Sequence, residues 1–231
     1  MMTDIENYTD KLISECKRIY GDRLIYVGLQ GSYMRGEAGE DSDLDIMIII
    51  ERFSVQDMDA YRDMLKQIGN YDKSCGFICG KEEMKQWNPL EVCQLLHTTK
   101  DLYGTLSGHL PEAATEDEVN YVKLSLGNLY HELCHRYIHA DREKNVRKLR
   151  GTCKSFFFLI QNLYYLESGD FVLTKRELKQ RVTEEDCEIL TMADLPEDYD
   201  FDQAYERLFI WCQNAFARID KLGKDNLCRK W

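Results

Sequence analysis

The sequence predicts an α/β (α+β) sheet domain followed by an α-helical bundle, and two observations carry the prediction. Up to about residue 110, short apolar segments alternate with helical patterns, as strands do when helices cover them. From residue 111 onward, apolar residues recur at helical spacing over long uninterrupted segments. The expected domains are therefore residues 1–110 and 111–231.

Each element has a local reason. Thr3-x-x-Glu6 reads as a capping box, and Ile5, Leu12, Ile13 and Ile19 carry a first helix to about Tyr20. Leu24 to Leu29 is a short apolar strand, Gly31-Ser32 turns the chain, and a helical or looped stretch runs to Gly39. Leu44 to Ile50 is apolar on both faces, as the centre of a covered sheet requires. Ser54-x-x-Asp57 caps a helix to about Ile68, and Cys75 to Cys79 reads as a third strand. In the second half, Glu116 to Ala140 places Val119, Val122, Leu126, Leu129, Leu133 and Tyr137 on one helical face. Glu143 to Leu166 packs through Leu149, Phe156, Ile160 and Leu163, and Gly169 is its stop. Shorter helices follow, then a long one from about Phe201 to Leu222.

The chain has 231 residues, 30 of them basic and 41 acidic, for a net charge of −11. That balance argues against gripping a long nucleic acid, which rewards basic surface, and favours small or cationic partners. The longest apolar run, Ile46 to Ile50, is too short to span a bilayer, so no membrane partner is expected. The acidic N-terminus lacks an apolar signal core, and the nine cysteines contain no Cys-x-x-Cys pair. Together these lead to the expectation of a cytoplasmic protein with reduced thiols.

Asp43 and Asp45 carry the chemistry. Two residues apart at a strand start, both side chains leave the same face. Carboxylates so placed repel unless a cation neutralises them, and hard oxygen donors suit Mg²⁺ or Mn²⁺. Gly31-Ser32, at the end of the preceding strand, can offer backbone N–H groups and a hydroxyl to a phosphate. Metal and nucleoside triphosphate would then lie side by side, as nucleotidyl transfer needs. A lone Asp-x-Asp is more often a solvated loop or a helix cap. What separates this one is its context, between a Gly-Ser turn and a second apolar strand.

Gly31-Ser32-Tyr33-Met34-Arg35-Gly36, followed by Asp41-Ser42-Asp43-Leu44-Asp45-Ile46, resembles the DNA polymerase β-type nucleotidyltransferase superfamily. Its smaller members include antibiotic adenylyltransferases of the aminoglycoside and lincosamide kind and the minimal nucleotidyltransferases of toxin–antitoxin pairs. The resemblance implies a mixed sheet. It assigns nucleotide binding to Gly31 and Ser32, and metal binding with catalysis to Asp43 and Asp45. Many members carry a third carboxylate on a following strand. Here Cys75-Gly76-Phe77-Ile78-Cys79 has none, which leaves Asp72, Glu82, Glu83 and Glu132 as candidates for that role or for the general base.

Gly169-Asp170-Phe171-Val172-Leu173-Thr174-Lys175-Arg176-Glu177 is similar to a segment of streptomycin- and spectinomycin-type adenylyltransferases. There a lysine reaches the triphosphate, a role the similarity gives to Lys175. Those enzymes place an arginine eight residues before the glycine, where this chain has Gln161. On the helical wheel Arg147, Arg150, Lys154 and Gln161 form one stripe, either a solvated basic face or a source of phosphate contacts, with Lys154 as the candidate. His131-Glu132-Leu133-Cys134-His135 matches the His-Glu-x-x-His zinc pattern and His139 extends it, but no third ligand follows at a familiar spacing. Solvent exposure is the expectation for that stripe.

These readings converge on a metal-dependent transferase moving a nucleoside monophosphate, AMP from ATP, to a hydroxyl of a small acceptor such as an aminoglycoside-like antibiotic. The helical domain is expected to close over substrate and nucleotide. The alternative is a nucleotide-binding or protein-modifying regulator of the toxin–antitoxin type, with or without catalysis.

Overall fold

A computed structural model describes residues 4–196 and 199–228. The chain forms two compact units, Met1–Glu112 and Ala113–Trp231.

In the first unit, α1 (Ile5–Tyr20) leads through a single 3₁₀ turn into β1 (Leu24–Leu29). Thr3 lies outside the described residues, and the cap of α1 is Asp4, whose carboxylate accepts the Asn7 N–H. The short α2 (Gly31–Arg35) and a loop precede β2 (Leu44–Ile50). The crossover α3 (Val55–Ile68) starts on the Ser54/Asp57 capping box anticipated from the sequence. It delivers β3 (Ser74–Gly80) parallel to β2. Two short helices, α4 (Lys81–Lys85) and α5 (Val92–Thr98), then lead to β4 (Lys100–Tyr103).

The sheet order is β3-β2-β1-β4, with β1 antiparallel to both of its neighbours, so the sheet is mixed. Leu44, Ile46, Ile48 and Ile50 enter the larger core with Leu12, Cys16 and Met64 of α1 and α3. Met47 and Ile49 point to the other face, against Tyr26, Cys79, Met84 and Leu106. Apart from Asp45, β2 is apolar along its length because it is buried on both sides, at about 1.5–3 kcal/mol for each large side chain. β4 was not anticipated: two of its four residues are charged, and its extended state follows from pairing with β1.

The second unit is helical: α6 (Thr115–His139), α7 (Arg142–Ser168), α8 (Lys175–Leu178), α9 (Glu184–Thr191) and α10 (Phe201–Cys228). Its core joins Val122, Leu126 and Leu133 of α6 to Phe156 and Ile160 of α7 and Leu208, Trp211 and Ala215 of α10. Gly169 stops α7 in the left-handed region, φ +75, with its N–H on the Tyr165 carbonyl. Beneath the core, the buried Asp186 accepts both Trp211 Nε1–H at 2.7 Å and Arg218 at 2.8 Å.

Two expectations for this half need correction. Tyr137 shares the azimuth of Val119, yet it is 56% exposed and lies over the Tyr205 ring at 4.7 Å. Gln161 is not on a solvated stripe. The segment after Gly169 runs back over α7, burying Gln161 to 1% exposure, with Nε2 donating to the Val172 carbonyl at 2.6 Å. No helix among the described residues is long and apolar enough to cross a membrane.

Candidate active site

The site residues gather at one end of the sheet. β1 ends at Leu29, β2 and β3 begin there, and β4 starts alongside, since Leu29 pairs with Lys100, Ile46 with Leu29, and Asp45 with Cys75. Gln30 N–H bonds to the Asp45 carbonyl, so the chain leaves β1 directly beside the carboxylate pair.

Gly31 sits at φ +66, a conformation L side chains rarely adopt. A Cβ built on it would lie 1.9 Å from Asp45 Oδ2. Glycine is therefore needed twice over, for backbone geometry and for close approach to the carboxylate. Ser32 follows in the first turn of α2, where the backbone N–H groups have no intrahelical acceptor until Met34 reaches Gln30.

Asp43 is exposed and Asp45 half-buried, and among the described residues neither has a hydrogen-bonding or ion-pair partner for its side chain. Their alternation with Met47 and Ile49 puts Asp45 on the face of the smaller core. Two carboxylates without side-chain partners among the described residues, one of them packed against Gly31, fit a divalent cation. Among the described residues no group of three His, Cys, Asp or Glu assembles, so other donors would have to come from phosphate oxygens or water.

The candidates for a third acid fare differently. The β3 residue paired with Asp45 is the exposed Cys75, a thiol in place of a carboxylate. Glu82 and Glu83 follow the far end of the parallel β3, roughly 20 Å along the strand from Asp45 at about 3.3 Å per residue. Asp72 precedes β3, at the site end, and is exposed. Glu132 lies on α6 in an ion pair with Arg136 at 2.6 Å. One carboxylate at the site end was missed from the sequence: Asp101 of β4, which pairs with Gly28. Its Oδ1 accepts the Tyr26 hydroxyl at 2.7 Å and the Leu106 N–H at 3.4 Å. Burial, and next the hydrogen bond to Asp101, push the Tyr26 hydroxyl well above the usual tyrosine range, so it stays protonated as a donor. Beside them Gln30 Nε2 donates to Thr99 Oγ1 at 2.8 Å.

In the helical unit, Lys175 Nζ bonds Asp194 at 2.9 Å, and Lys179 shares that carboxylate at 3.3 Å. The Lys175 hydrogen bond is the main cause holding Asp194 below the usual carboxylate range. Lys154 and Arg147 are exposed. His131, His135 and His139 are also exposed, their rings 6.0 and 4.9 Å apart along α6.

Residues 9–90 match a family described as the nucleotidyltransferase domain. Over 106 residues the chain is 33% identical to MJ1305 of Methanocaldococcus jannaschii, provisionally named a protein adenylyltransferase; the match covers 43% of this chain and 71% of that protein. The spectinomycin adenyltransferase AAD(9) from Enterococcus faecialis, solved with ATP and spectinomycin, is similar in fold. Its TM-score is 0.58 at 13% identity, over 93% of this chain and 99% of that one.

Proposed function

The chain belongs to the nucleotidyltransferase domain family and is a nucleotidyltransferase, and on that premise we propose that it moves AMP from ATP, with Mg²⁺ or Mn²⁺, to a hydroxyl of a small acceptor. In that step the acceptor oxygen bonds to the α-phosphorus, the bond from that phosphorus to the bridging oxygen breaks, and pyrophosphate leaves. The hydroxyl proton passes to solvent.

The observation that carries the reading is the contact of Gly31 with Asp45. It puts the turn that opens α2 directly against the Asp45 carboxylate, which supports a phosphate and a cation held side by side. Asp43 and Asp45 would hold the cation, whose bound charge offsets that of the phosphates. The Ser32 hydroxyl and the free N–H groups of the α2 first turn would orient the triphosphate by hydrogen bonds. We extend the reading to Lys175 and Lys154 as triphosphate contacts. In support, Lys175 and Lys179 share one carboxylate, so the trio keeps net positive charge for an anion.

Asp43→Asn and Asp45→Asn should each abolish the thermal stabilisation that Mg²⁺-ATP gives the wild type, because a ligand bound to the folded state raises its stability by mass action. Equal shifts in all three proteins would refute the reading. The identity with MJ1305 favours a second acceptor, a protein hydroxyl. Incubation with α-labelled ATP and cell extract separates the two, since label appears either on small molecules or on a protein band.

A further inference from the structure

We infer that the groove between α6 and α10 receives a second copy of this chain, related to the first by a two-fold axis running along the groove. Docking of this kind involves the helical unit alone and is independent of the transferase reading.

α6 and α10 run antiparallel: Gly223 lies beside Val119 at one end, and the Tyr205 ring lies 4.7 Å from that of Tyr137 at the other. Between these levels Tyr130 stacks on Phe209 at 5.3 Å and meets Phe216 edge-on at 5.6 Å. The rings floor a seam that is left in solvent, for Tyr137, Ile138 and Phe216 are all exposed, Ile138 at 70%. Toward residue 138 the seam widens into a hollow of about 490 Å³, lined by Cys134, Tyr137, Ile138, Tyr205, Glu206 and Phe209. Gly127, Tyr130, Cys134 and Ile138 share one stripe of α6, three and four residues apart. A Cβ on Gly127 would have nothing within 4 Å. Glycine inside a helix costs about 1 kcal/mol relative to alanine. No neighbour among the described residues requires it here, but a ring arriving from outside would. A continuous apolar seam of this kind marks an interaction surface.

Charge on the two rims selects the occupant. The α6 rim carries Lys123, His131 and His135, and the α10 rim carries Asp202, Glu206 and Asp220. Asp202 is held by Arg142 and Asp220 by Lys224. Glu206 and His135 are exposed, and neither makes a hydrogen bond or ion pair among the described residues. A two-fold axis along the groove lays α6 of each copy over α10 of the other, antiparallel and at the same height. Tyr137 and Tyr205 mark one level of the pair. His135 of each copy then meets Glu206 of the other, Ile138 enters the opposite hollow, and Phe216 comes over Gly127. A two-fold axis across the groove would set acidic α10 on acidic α10, which like charge opposes. Each copy therefore carries both halves of the contact, as an isologous dimer requires, and the four helices close into a bundle. The rings supply the burial, while the rim charges fix the register.

The test is sedimentation equilibrium of the full-length protein over the micromolar range. Physiological ionic strength screens the mutual repulsion of two chains of charge −11. The expected result is a reversible shift from one chain, 27.2 kDa, to two. Glu206→Lys and His135→Glu should each weaken association roughly tenfold or more. The double variant His135→Glu/Glu206→Lys, which reverses the pair, should recover most of it. Gly127→Leu, whose side chain enters open space in the single chain, should weaken association to the same degree and leave the helical circular dichroism unchanged. A wild type that stays single throughout would overturn the inference, whatever other helix the groove accepts. So would a dimer that Glu206→Lys and Gly127→Leu leave intact, since the contact would then lie on another face. A double variant no stronger than its singles would overturn the two-fold arrangement.

Discussion

Gly31 and Asp45 touch at a separation that no side chain on Gly31 would permit, 1.9 Å from a built Cβ to Oδ2. Gly31→Ala must therefore displace either the carboxylate or the turn, and it also places a Cβ at φ +66, a penalty of about 1–2 kcal/mol. The expected outcome is loss of Mg²⁺-ATP binding by calorimetry, with a melting temperature lowered by only a few degrees. Retained binding at wild-type affinity would show that the close approach is dispensable.

Lys175→Ala tests the helical unit's share in nucleotide binding. A charge-assisted contact to a phosphate contributes about 1.5–3 kcal/mol, so ATP affinity should fall roughly tenfold or more, with AMP affinity nearly unchanged. Lys154→Ala should follow the same pattern. An ATP titration of each variant decides it, and wild-type affinity in both would confine the nucleotide contacts to the first unit.

The exposed His131 and His135 are expected to hold no stoichiometric zinc. They are one turn apart, but among the described residues no third ligand completes a site. Elemental analysis of protein purified without added metal checks this. One zinc per chain, lost on His135→Ala, would overturn it.

Asp57 offers a pH test of the sheet unit. It caps α3 and accepts Arg23 at 2.8 Å, and the Arg23 guanidinium, before the Ser54 contacts, holds its carboxyl below the usual range. A depressed folded pKa adds stability that is complete above the unfolded value near 3.9 and vanishes as pH falls through the folded one. Asp57→Asn should therefore lower stability by about 1–2 kcal/mol at pH 7, the size of a lost cap plus a half-exposed ion pair. In urea unfolding the gap to wild type should close on going from pH 7 to below pH 4. A gap independent of pH would assign the effect to shape rather than charge.

How far the residues announced the structure depends on what fixes each element. β2 was legible to its ends, because Leu44 and the unbroken apolar run from Ile46 to Ile50, bounded by Asp43 and Glu51, admit few other fates. The Gly-Ser turn and the aspartate pair were legible because their spacing is local. β4 was not, since Lys100-Asp101-Leu102-Tyr103 has no alternation of its own and becomes a strand through the open edge of β1. Asp101 went unseen for the same reason. Gln161 was misplaced because a helical wheel describes one helix, and its burial comes from the chain beyond Gly169 folding back. Tyr137 shows the converse, a residue on the apolar azimuth that the opposing helix leaves uncovered.

The late arrival of β4 also matters during synthesis. Leu29 must wait for Lys100, about seventy residues downstream, before its outer edge is paired. Until Tyr103 has left the ribosome, one side of β1 presents bare N–H and carbonyl groups to whatever strand is nearby. A nascent chain stalled inside that window, or a fragment ending before residue 100, carries an adhesive edge that the finished protein does not.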